Sequence, residues 1–328
     1  MNRRNQILVG ILVLQLIVTA IVLWPRPTAT AEGESLFPDL DTGQIVGLTI
    51  TDTGGQTVHM AKENGAWVLP EAGGFPVQAD RVPEFLAKIA ALKAERLVAQ
   101  TSSSHARLKV ADDDYERLVE FEMSDGSHHR FYIGTSPSST VSHVRAGDQD
   151  QVYLTSALSA QDAGAQASNW IDRTYLEIPQ DQIVALTLEN ANGTFAFSKE
   201  GDTWTMAGLA EGETLDPTAV TSIVSRAALV TMSEPLGTEE QDSYGLQAPL
   251  ALVTIQTHSD ETGDKTYTLR VGARDPEDSS YVVISSESPY YVRVSEYAVK
   301  DLVERARDGF LELPPTPEAT PEATPAGG

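Results

Sequence analysis

The chain has 328 residues, of which 41% are hydrophobic and 21% charged, a composition typical of globular proteins and a length that suits two domains. It contains no cysteine, which excludes disulfides, thiolate metal sites, a cysteine nucleophile and the thiol that a bacterial lipoprotein needs for lipidation. The formal net charge of −24 disfavours phosphate backbones, so we expect no nucleic-acid partner; cationic partners, or a purely solubilising role, are compatible with it.

The N-terminus predicts a membrane anchor. Residues 1–6 contain Arg3 and Arg4, and residues 7–24 are almost entirely apolar. As a helix that segment would extend roughly 27 Å, close to the roughly 30 Å hydrocarbon core of a bilayer. The two arginines place the N-terminus in the cytoplasm and the bulk of the chain outside. A cleaved signal peptide is the alternative, since residues 29–31 (ATA) suit a cleavage site, but the apolar stretch is longer than the usual signal core.

After a linker at residues 25–36, the chain repeats itself. The segment QIVGLTI at residues 44–50 returns as QIVALTL at residues 182–188. Further along, Trp67 corresponds to Trp204, and Asp80 corresponds to Asp216. A duplicated module explains this spacing, with a first repeat at residues 37–177 and a second at residues 178–313.

Each repeat predicts the same elements in the same order. Alternating apolar residues indicate three strands, and an Asp then begins an amphipathic helix. Pro217 follows Asp216 in the first turn, where a missing N–H costs nothing. Two hairpins follow, the first of them ending at Gly134 or Gly272, and each repeat closes with a short helix and an aromatic end. The predicted fold class is α+β, mainly antiparallel sheet with covering helices, and we expect Trp67 and Trp204 in the cores.

Residues 314–328, PPTPEATPEATPAGG, have a different composition. They contain no aromatic or large aliphatic side chain that could offset the entropy of ordering. The segment therefore predicts an extended, disordered tail, for which a spacer role and O-glycosylated threonines are both open.

These features carry a resemblance. The features concerned are the N-terminal anchor, the strand pattern that leads to Gly-x-Trp, the Asp-led helix, the run Tyr244-Gly245-Leu246-Gln247-Ala248-Pro249 and Gly272. Together they resemble the domain-of-unknown-function 4340 family of bacterial envelope proteins, over residues 35–313. The first repeat departs from the pattern, with Arg107-Leu108-Lys109 where Tyr-Gly-Leu is expected. The resemblance implies an association with ABC-type export systems and supplies no catalytic residue.

The sequence predicts no catalytic, cofactor-binding or metal-binding residue. The usual hydrolase, metalloprotease, phosphate-loop and calcium-loop motifs do not occur. His128 and His129 are adjacent in a strand and so point to opposite faces, which prevents joint metal binding. The acidic run 112–114 lacks a glycine turn and further ligands, and is interpreted as a solvated loop. The remaining histidines, which fall mainly in strands and turns, are His59, His105, His143 and His258.

Three functions remain open. The first is a non-enzymatic accessory or scaffold subunit that binds an envelope protein, with ABC-type transporter subunits as candidates. The second is an extracytoplasmic module that binds a glycan, peptide or cation at the junction of the repeats. The third is an envelope hydrolase, which requires a pocket where perturbed carboxylates or a histidine converge.

Overall fold

The structure is a computed structural model that describes Gln15 and residues 33–138, 140–261 and 263–312. The predicted cytoplasmic N-terminus (1–6), the predicted anchor (7–24, apart from Gln15), most of the linker (25–36) and the predicted tail (314–328) lie outside the described residues. Within the part of the chain that the structure describes, no helix combines the length and the apolar character needed to cross a bilayer.

Strands dominate the described residues. In chain order they are β1 (Ile45–Asp52), β2 (Thr57–Glu63), β3 (Ala66–Leu69), β4 (Phe75–Pro76), β5 (Arg96–Ala99), β6 (Arg117–Met123), β7 (His128–Ile133), β8 (Ser142–Ala146), β9 (Val152–Thr155), β10 (Thr174–Glu177), β11 (Ile183–Asn190), β12 (Gly193–Glu200), β13 (Thr203–Met206), β14 (Leu229–Gly237), β15 (Ala251–Ser259), β16 (Gly263–Arg274), β17 (Tyr281–Ser285) and β18 (Tyr291–Val294). The α-helices are α1 (Arg81–Ala90), α2 (His105–Leu108), α3 (Pro217–Ala228) and α4 (Glu296–Glu304). Short 3₁₀ turns lie at Thr42–Gln44, Pro70–Ala72, Ser102–Ser104, Ala167–Asn169, Gln180–Gln182, Asp242–Tyr244 and Arg307–Phe310.

The described residues form two compact units. The first combines the residues up to Val58 with Asp80–Ala165, and the second combines His59–Ala79 with the residues from Gln166 onwards. The strand pairs inside each unit are antiparallel. The prediction of mainly antiparallel sheet is therefore confirmed, and the described residues contain few helices. The segment His59–Ala79 comes from the first predicted repeat but belongs to the second unit, so repeats and units divide the chain differently.

In the first unit the strands are hydrogen-bonded in the order β1-β6-β7-β8-β9-β5. The β6–β7 hairpin turns at Gly126, whose φ of +82° is readily adopted only by glycine. Inside, the ring of Phe37 lies 5.5 Å from that of Phe121 and 5.7 Å from that of Phe131. The predicted apolar face of α1 is buried, as the helical spacing of its apolar residues indicates.

In the second unit the strand order is β10-β14-β18-β17-β16-β15-β11-β12-β13. Helix α3 begins as predicted: Asp216 accepts a hydrogen bond from the Thr218 N–H at 2.8 Å, and Pro217 occupies the first turn. Its apolar residues are buried. The end of α4 is fixed by Asn190, whose side-chain amide donates to the carbonyls of Leu302 and Arg305.

The two units share a strand path. The order β11-β15-β16-β17-β18-β14 in the second unit repeats β1-β6-β7-β8-β9-β5 in the first. A Cβ on Gly134 would lie 2.1 Å from the Leu108 carbonyl oxygen, and a Cβ on Gly272 would lie 2.1 Å from the Tyr244 carbonyl oxygen. Only glycine permits this close backbone approach, which explains why each predicted repeat has one after its hairpin strand.

Two local predictions need correction. The first repeat was expected to close with a short helix, but it has only a 3₁₀ turn at Ala167–Asn169, followed by strand β10. Strand pairing with β14 outweighs the local pattern there. Trp67 and Trp204 are half-buried rather than core residues. Asp80 does precede helix α1 as predicted, although unlike Asp216 it makes no side-chain capping hydrogen bond.

Candidate functional site

A cavity of about 490 Å³, which we call the Tyr244 cavity, opens in the second unit. Its volume lies within the range of small-molecule sites. Its lining combines acidic, basic, hydroxyl and apolar side chains, namely Glu71, Glu234, Pro235, Leu236, Gln241, Ser243, Tyr244, Ala273, Arg274, Asp275, Pro276, Val282 and Arg293.

Several strands and turns of the second unit position this lining. Strand β14 supplies Glu234, the end of β16 supplies Arg274, and β18 supplies Arg293. The turn Pro70–Ala72 is followed by Gly73, where φ is +66° and a Cβ would lie only 3.2 Å from the Cα of a glycine in β14. Because both positions are glycine, the turn can lie directly against β14, and this brings Glu71 to the cavity.

Tyr244 is the most unusual lining residue. Only 7% of its surface is exposed, and its ring lies 5.4 Å from the ring of Tyr291 in a small apolar cluster. No described residue makes a hydrogen bond with its hydroxyl, whereas the similarly buried Tyr175 donates to the Tyr290 carbonyl at 2.8 Å. Burial raises the pKa of Tyr244, and the nearby Arg293 guanidinium only partly offsets this. The phenol is therefore protonated at neutral pH and has a hydrogen bond to donate.

Arg293 is held among carboxylates. Its Nη1 lies 2.8 Å from Asp275 Oδ2 and donates to Ser280 Oγ at 3.3 Å, while its Nε lies 3.6 Å from Glu234 Oε2. The Glu234 contact is too long for a strong hydrogen bond, so that carboxylate retains free lone pairs. The cavity lining thus presents three carboxylates and two guanidinium groups, with charges of both signs.

The loop at residues 275–280 is fixed by its own hydrogen bonds. The Asp275 N–H donates to the Ser280 carbonyl at 2.7 Å, and the Ser280 N–H donates to Asp278 Oδ1 at 2.8 Å. Hydrogen bonds from Ser280 hold the pKa of Asp278 below its usual range. Ser279 has a φ of +65°, a conformation that is costly for a residue with a Cβ. The loop therefore holds the acidic wall of the cavity in place.

The first unit has a different side chain at the corresponding place. Lys109 has a φ of +58° and Gly245 a φ of +65° at the same point of the strand path, which aligns Leu108 with Tyr244. The sequence comparison, which set Arg107-Leu108-Lys109 against Tyr-Gly-Leu, was therefore off by one residue. Leu108 supplies no hydroxyl.

The nearby polar group in the first unit is Arg145, only 4% exposed. Its guanidinium donates to the Val110 carbonyl at 2.7 Å, pairs with Asp112 and lies 4.3 Å from the centre of the Tyr132 ring. The hydrogen bond from Arg145 holds the pKa of Asp112 below its usual range.

Comparison with known proteins identifies the family. A profile of the domain of unknown function (DUF4340) matches residues 67–249, more than half of the chain. The chain belongs to this family. In this DUF4340 protein the matched region ends just after Tyr244-Gly245-Leu246 and so includes the residue at the centre of the cavity. No curated protein and no solved structure matches the chain.

A second hollow of about 500 Å³ in the same unit of the DUF4340 protein exposes aromatic and aliphatic groups. Tyr297 is 78% exposed and Leu229 is 51% exposed. The Arg226 guanidinium lies 4.6 Å from the centre of the Tyr297 ring, and its Nε forms an ion pair with Asp301 at 2.8 Å. The lining of this hollow, which we call the Tyr297 surface, consists of Arg173, Ser222, Ser225, Arg226, Leu229, Thr231, Ser233, Ser295, Tyr297 and Ala298.

The histidines lie in separate surroundings. His105 Nε2 donates to the Asp150 carbonyl at 2.8 Å, and His143 Nδ1 lies 2.7 Å from the Thr135 carbonyl oxygen. His129 stacks on the Phe121 ring at 5.2 Å. Within the described residues no group of three His, Asp or Glu side chains is arranged to hold a metal ion.

The acidic run at residues 112–114 was interpreted as a solvated loop. In the structure two of its members form ion pairs: Asp112 with the buried Arg145, and Asp114 with Lys109 at 2.6 Å. The run therefore forms ion pairs with Lys109 and Arg145 of the first unit as well as facing solvent.

Sequence reasoning on this DUF4340 protein predicted no site and missed both hollows. Tyr244 was noticed only as part of a family motif. A usable signal was present, since the two repeats carry tyrosine and leucine at matching positions of an otherwise similar path. The alignment error of one residue concealed it.

Proposed function

We propose that this DUF4340 protein is a non-enzymatic accessory component of an envelope assembly, anchored in the membrane by residues 7–24, that binds a partner protein through the Tyr297 surface. ABC-type transporter subunits are the first candidates for the partner. The observation that carries the proposal is the exposed pair of Tyr297 and Leu229, which flanks a guanidinium already stacked on the tyrosine ring.

Physical reasons favour a protein partner at this surface. Tyrosine and arginine are enriched at the energetic centres of interfaces, because each combines a large contact area with polar atoms at one end. The Tyr297 backbone carbonyl accepts a hydrogen bond from the Arg226 guanidinium at 2.7 Å, which helps to fix the arginine beside the tyrosine ring before binding. Among the described lining residues, charge comes from Arg173 and Arg226 alone. Arg226 is already paired with Asp301, so Arg173 is the lining cation without a carboxylate partner among the described residues. On a chain with a formal charge of −24, this cation beside exposed apolar groups suits a partner segment with a carboxylate beside an apolar side chain.

Site-specific photocrosslinking in the native host tests this. The full-length protein carries p-benzoyl-L-phenylalanine at position 297, and after irradiation of membranes the crosslinked species is identified by mass spectrometry. Tyr267 is the matched control, because it lies in the same unit and its ring faces Lys265 Nζ at 4.5 Å, outside the Tyr297 surface. We expect one defined membrane-protein partner from position 297 and none from position 267. Equal labelling from both positions would remove the surface from consideration.

The anchor is tested separately. With residues 7–24 as an uncleaved span, the protein stays in the membrane after carbonate extraction and retains its initial residues in the mature form. External protease added to spheroplasts should then digest the units that follow. Release into the soluble envelope fraction, with a new N-terminus near residue 31, would favour the signal-peptide alternative instead.

A second function, the binding of a small extracytoplasmic ligand, is favoured by the Tyr244 cavity. Its lining joins Glu71, from the first predicted repeat, with residues of the second repeat. The unpartnered phenol of Tyr244 is the specific observation in its support.

A further inference from the structure

We infer that the Tyr244 cavity binds a small zwitterion of the amino-acid or short-peptide type, whose carboxylate accepts a hydrogen bond from the Tyr244 hydroxyl and whose ammonium group is held by Glu71 and Glu234. The inference rests on the ligand-binding function above and is independent of the Tyr297 surface.

The first step concerns the hydroxyl. Among the buried tyrosines of the unit, Tyr175 donates to a carbonyl at 2.8 Å and Tyr291 donates to Glu240 at 3.2 Å, whereas the hydroxyls of Tyr244 and Tyr281 bond to no described residue. Of the latter two, only Tyr244 lines the cavity. The Tyr244 hydroxyl is not among the fully buried polar atoms without a partner in the described residues, so it is accessible from the cavity it lines. A ligand that supplies a charged acceptor to this free donor gains affinity from it.

Positively charged groups near the Tyr244 hydroxyl determine which kind of acceptor it binds. The Arg293 guanidinium lies close enough to influence the phenol, and Arg274 lines the same cavity. Positive charge beside a donor hydroxyl favours an anionic oxygen over a neutral one. A carboxylate has the size and the lone pairs to accept from the phenol and to lie near a guanidinium.

The third step concerns the opposite charge. Glu234 is exposed and only loosely associated with Arg293, and one oxygen of Glu71 contacts His59 Nδ1 at 2.9 Å while the other has no such contact. Both carboxylates can therefore accept hydrogen bonds from an ammonium group. A ligand with a single charge would be repelled either by the arginines or by the carboxylates of the lining. A zwitterion can pair its carboxylate with the arginines and its ammonium group with the carboxylates.

The volume and the apolar lining of the Tyr244 cavity limit the size and shape of the ligand. Apolar side chains of the lining can contact an aliphatic side chain, and these are Pro235, Leu236, Ala273, Pro276 and Val282. A volume of about 490 Å³ accommodates a dipeptide. A neutral sugar would satisfy the hydroxyl but would gain little from the two arginines, which makes it the natural competing ligand for a test.

The experiment is isothermal titration of the full-length protein in detergent with three probes. They are L-alanyl-L-alanine, its uncharged analogue N-acetyl-L-alanyl-L-alanine amide, and maltose. We expect saturable binding of the dipeptide alone. Tyr244→Phe and Glu234→Gln should each weaken it about tenfold, the effect of losing one hydrogen bond to a charged group. Tyr267→Phe, which removes a hydroxyl outside the cavity, should leave the affinity unchanged.

Each other result has a defined meaning. No binding of the dipeptide, equal binding of its blocked analogue, or wild-type affinity in Tyr244→Phe would overturn the inference. Binding of maltose without the dipeptide would overturn the zwitterion while keeping a ligand at the cavity. Photocrosslinks from position 297 are unaffected by any of these outcomes, so failure here is distinguishable from failure of the partner-binding role.

Discussion

Two buried tyrosines of the second unit should respond differently to loss of their hydroxyls. Tyr175 and Tyr244 are both almost fully buried, and burial raises the pKa of each. The Tyr175 hydroxyl donates to the Tyr290 carbonyl at 2.8 Å and accepts from the Ser285 N–H at 2.9 Å. The Tyr244 hydroxyl has no partner among the described residues. Tyr→Phe at these two positions therefore compares a phenol that is hydrogen-bonded to protein with one that has no partner among the described residues, in one unit.

The magnitudes follow from the groups left behind. Tyr175→Phe leaves the N–H of the buried Ser285 without an acceptor, which costs about 1–3 kcal/mol. The carbonyl of the half-buried Tyr290 can turn to water, so the total loss should be about 2–3 kcal/mol. Tyr244→Phe breaks no hydrogen bond to a described residue and removes a hydroxyl that is accessible from the cavity, so stability should fall by at most about 0.5 kcal/mol, or rise.

Urea unfolding followed by tryptophan fluorescence is suited to this comparison. Trp67, Trp170 and Trp204 all belong to the second unit, and the remaining Trp24 lies in the predicted anchor. With a urea dependence of about 2 kcal/mol per molar, a 2 kcal/mol loss lowers the midpoint by about 1 M. Equal losses for the two variants would refute the reasoning, because they would mean that the Tyr244 hydroxyl is hydrogen-bonded to protein in the absence of a ligand.

Three further predictions concern backbone, cap and charge. Gly272→Ala puts a Cβ 2.1 Å from the carbonyl oxygen that ends the preceding 3₁₀ turn, so we expect a loss of at least about 3 kcal/mol in urea unfolding, and a wild-type midpoint would contradict the tight approach. Asp216→Ala should cost about 1 kcal/mol by circular dichroism, and Asp80→Ala much less, because only the former side chain caps its helix. The hydrogen bond to Asp264 raises the pKa of His258 above 6.5, so this pair stabilises its hairpin below pH 6.5 and the contribution disappears as pH rises through the folded-state pKa. In NMR titrations Asp264→Asn should lower that pKa, and an unchanged value would exclude the pair as its cause.

Helices and hairpins that are determined by the residue pattern of a short segment were predictable from the sequence. The buried faces of α1 and α3 follow from helical spacing, and the start of α3 follows from Asp216 and Pro217. The antiparallel hairpins follow from alternating residues around polar turns. In these cases the residues that decide the structure are close neighbours in the chain.

Features decided by distant contacts were not predictable. Strand β10 exists because β14 provides a partner, and its residues alone were taken as the end of a helical segment. The Tyr244 cavity joins Glu71, Tyr244 and Arg293, which come together only through the sheet and through a glycine contact between a turn and β14. No spacing pattern in the sequence predicts that these three residues line one cavity.

The two units show how the interior polar groups diverged within one strand path. Arg145, on β8, donates to the Val110 carbonyl at 2.7 Å, and Arg270, on β16, donates to the Leu246 carbonyl at 3.4 Å. The strands that carry these arginines do not correspond, since β16 matches β7 rather than β8. Both units therefore have a guanidinium–carbonyl hydrogen bond, but the arginine comes from neighbouring strands of the shared path. A sequence alignment cannot detect that exchange. In the first unit Arg145 is fully engaged beside Leu108, whereas in the second unit the position of that leucine carries the phenol of Tyr244. The donor without a partner therefore lies where the copies differ, and that is where a function acquired by one copy is to be sought.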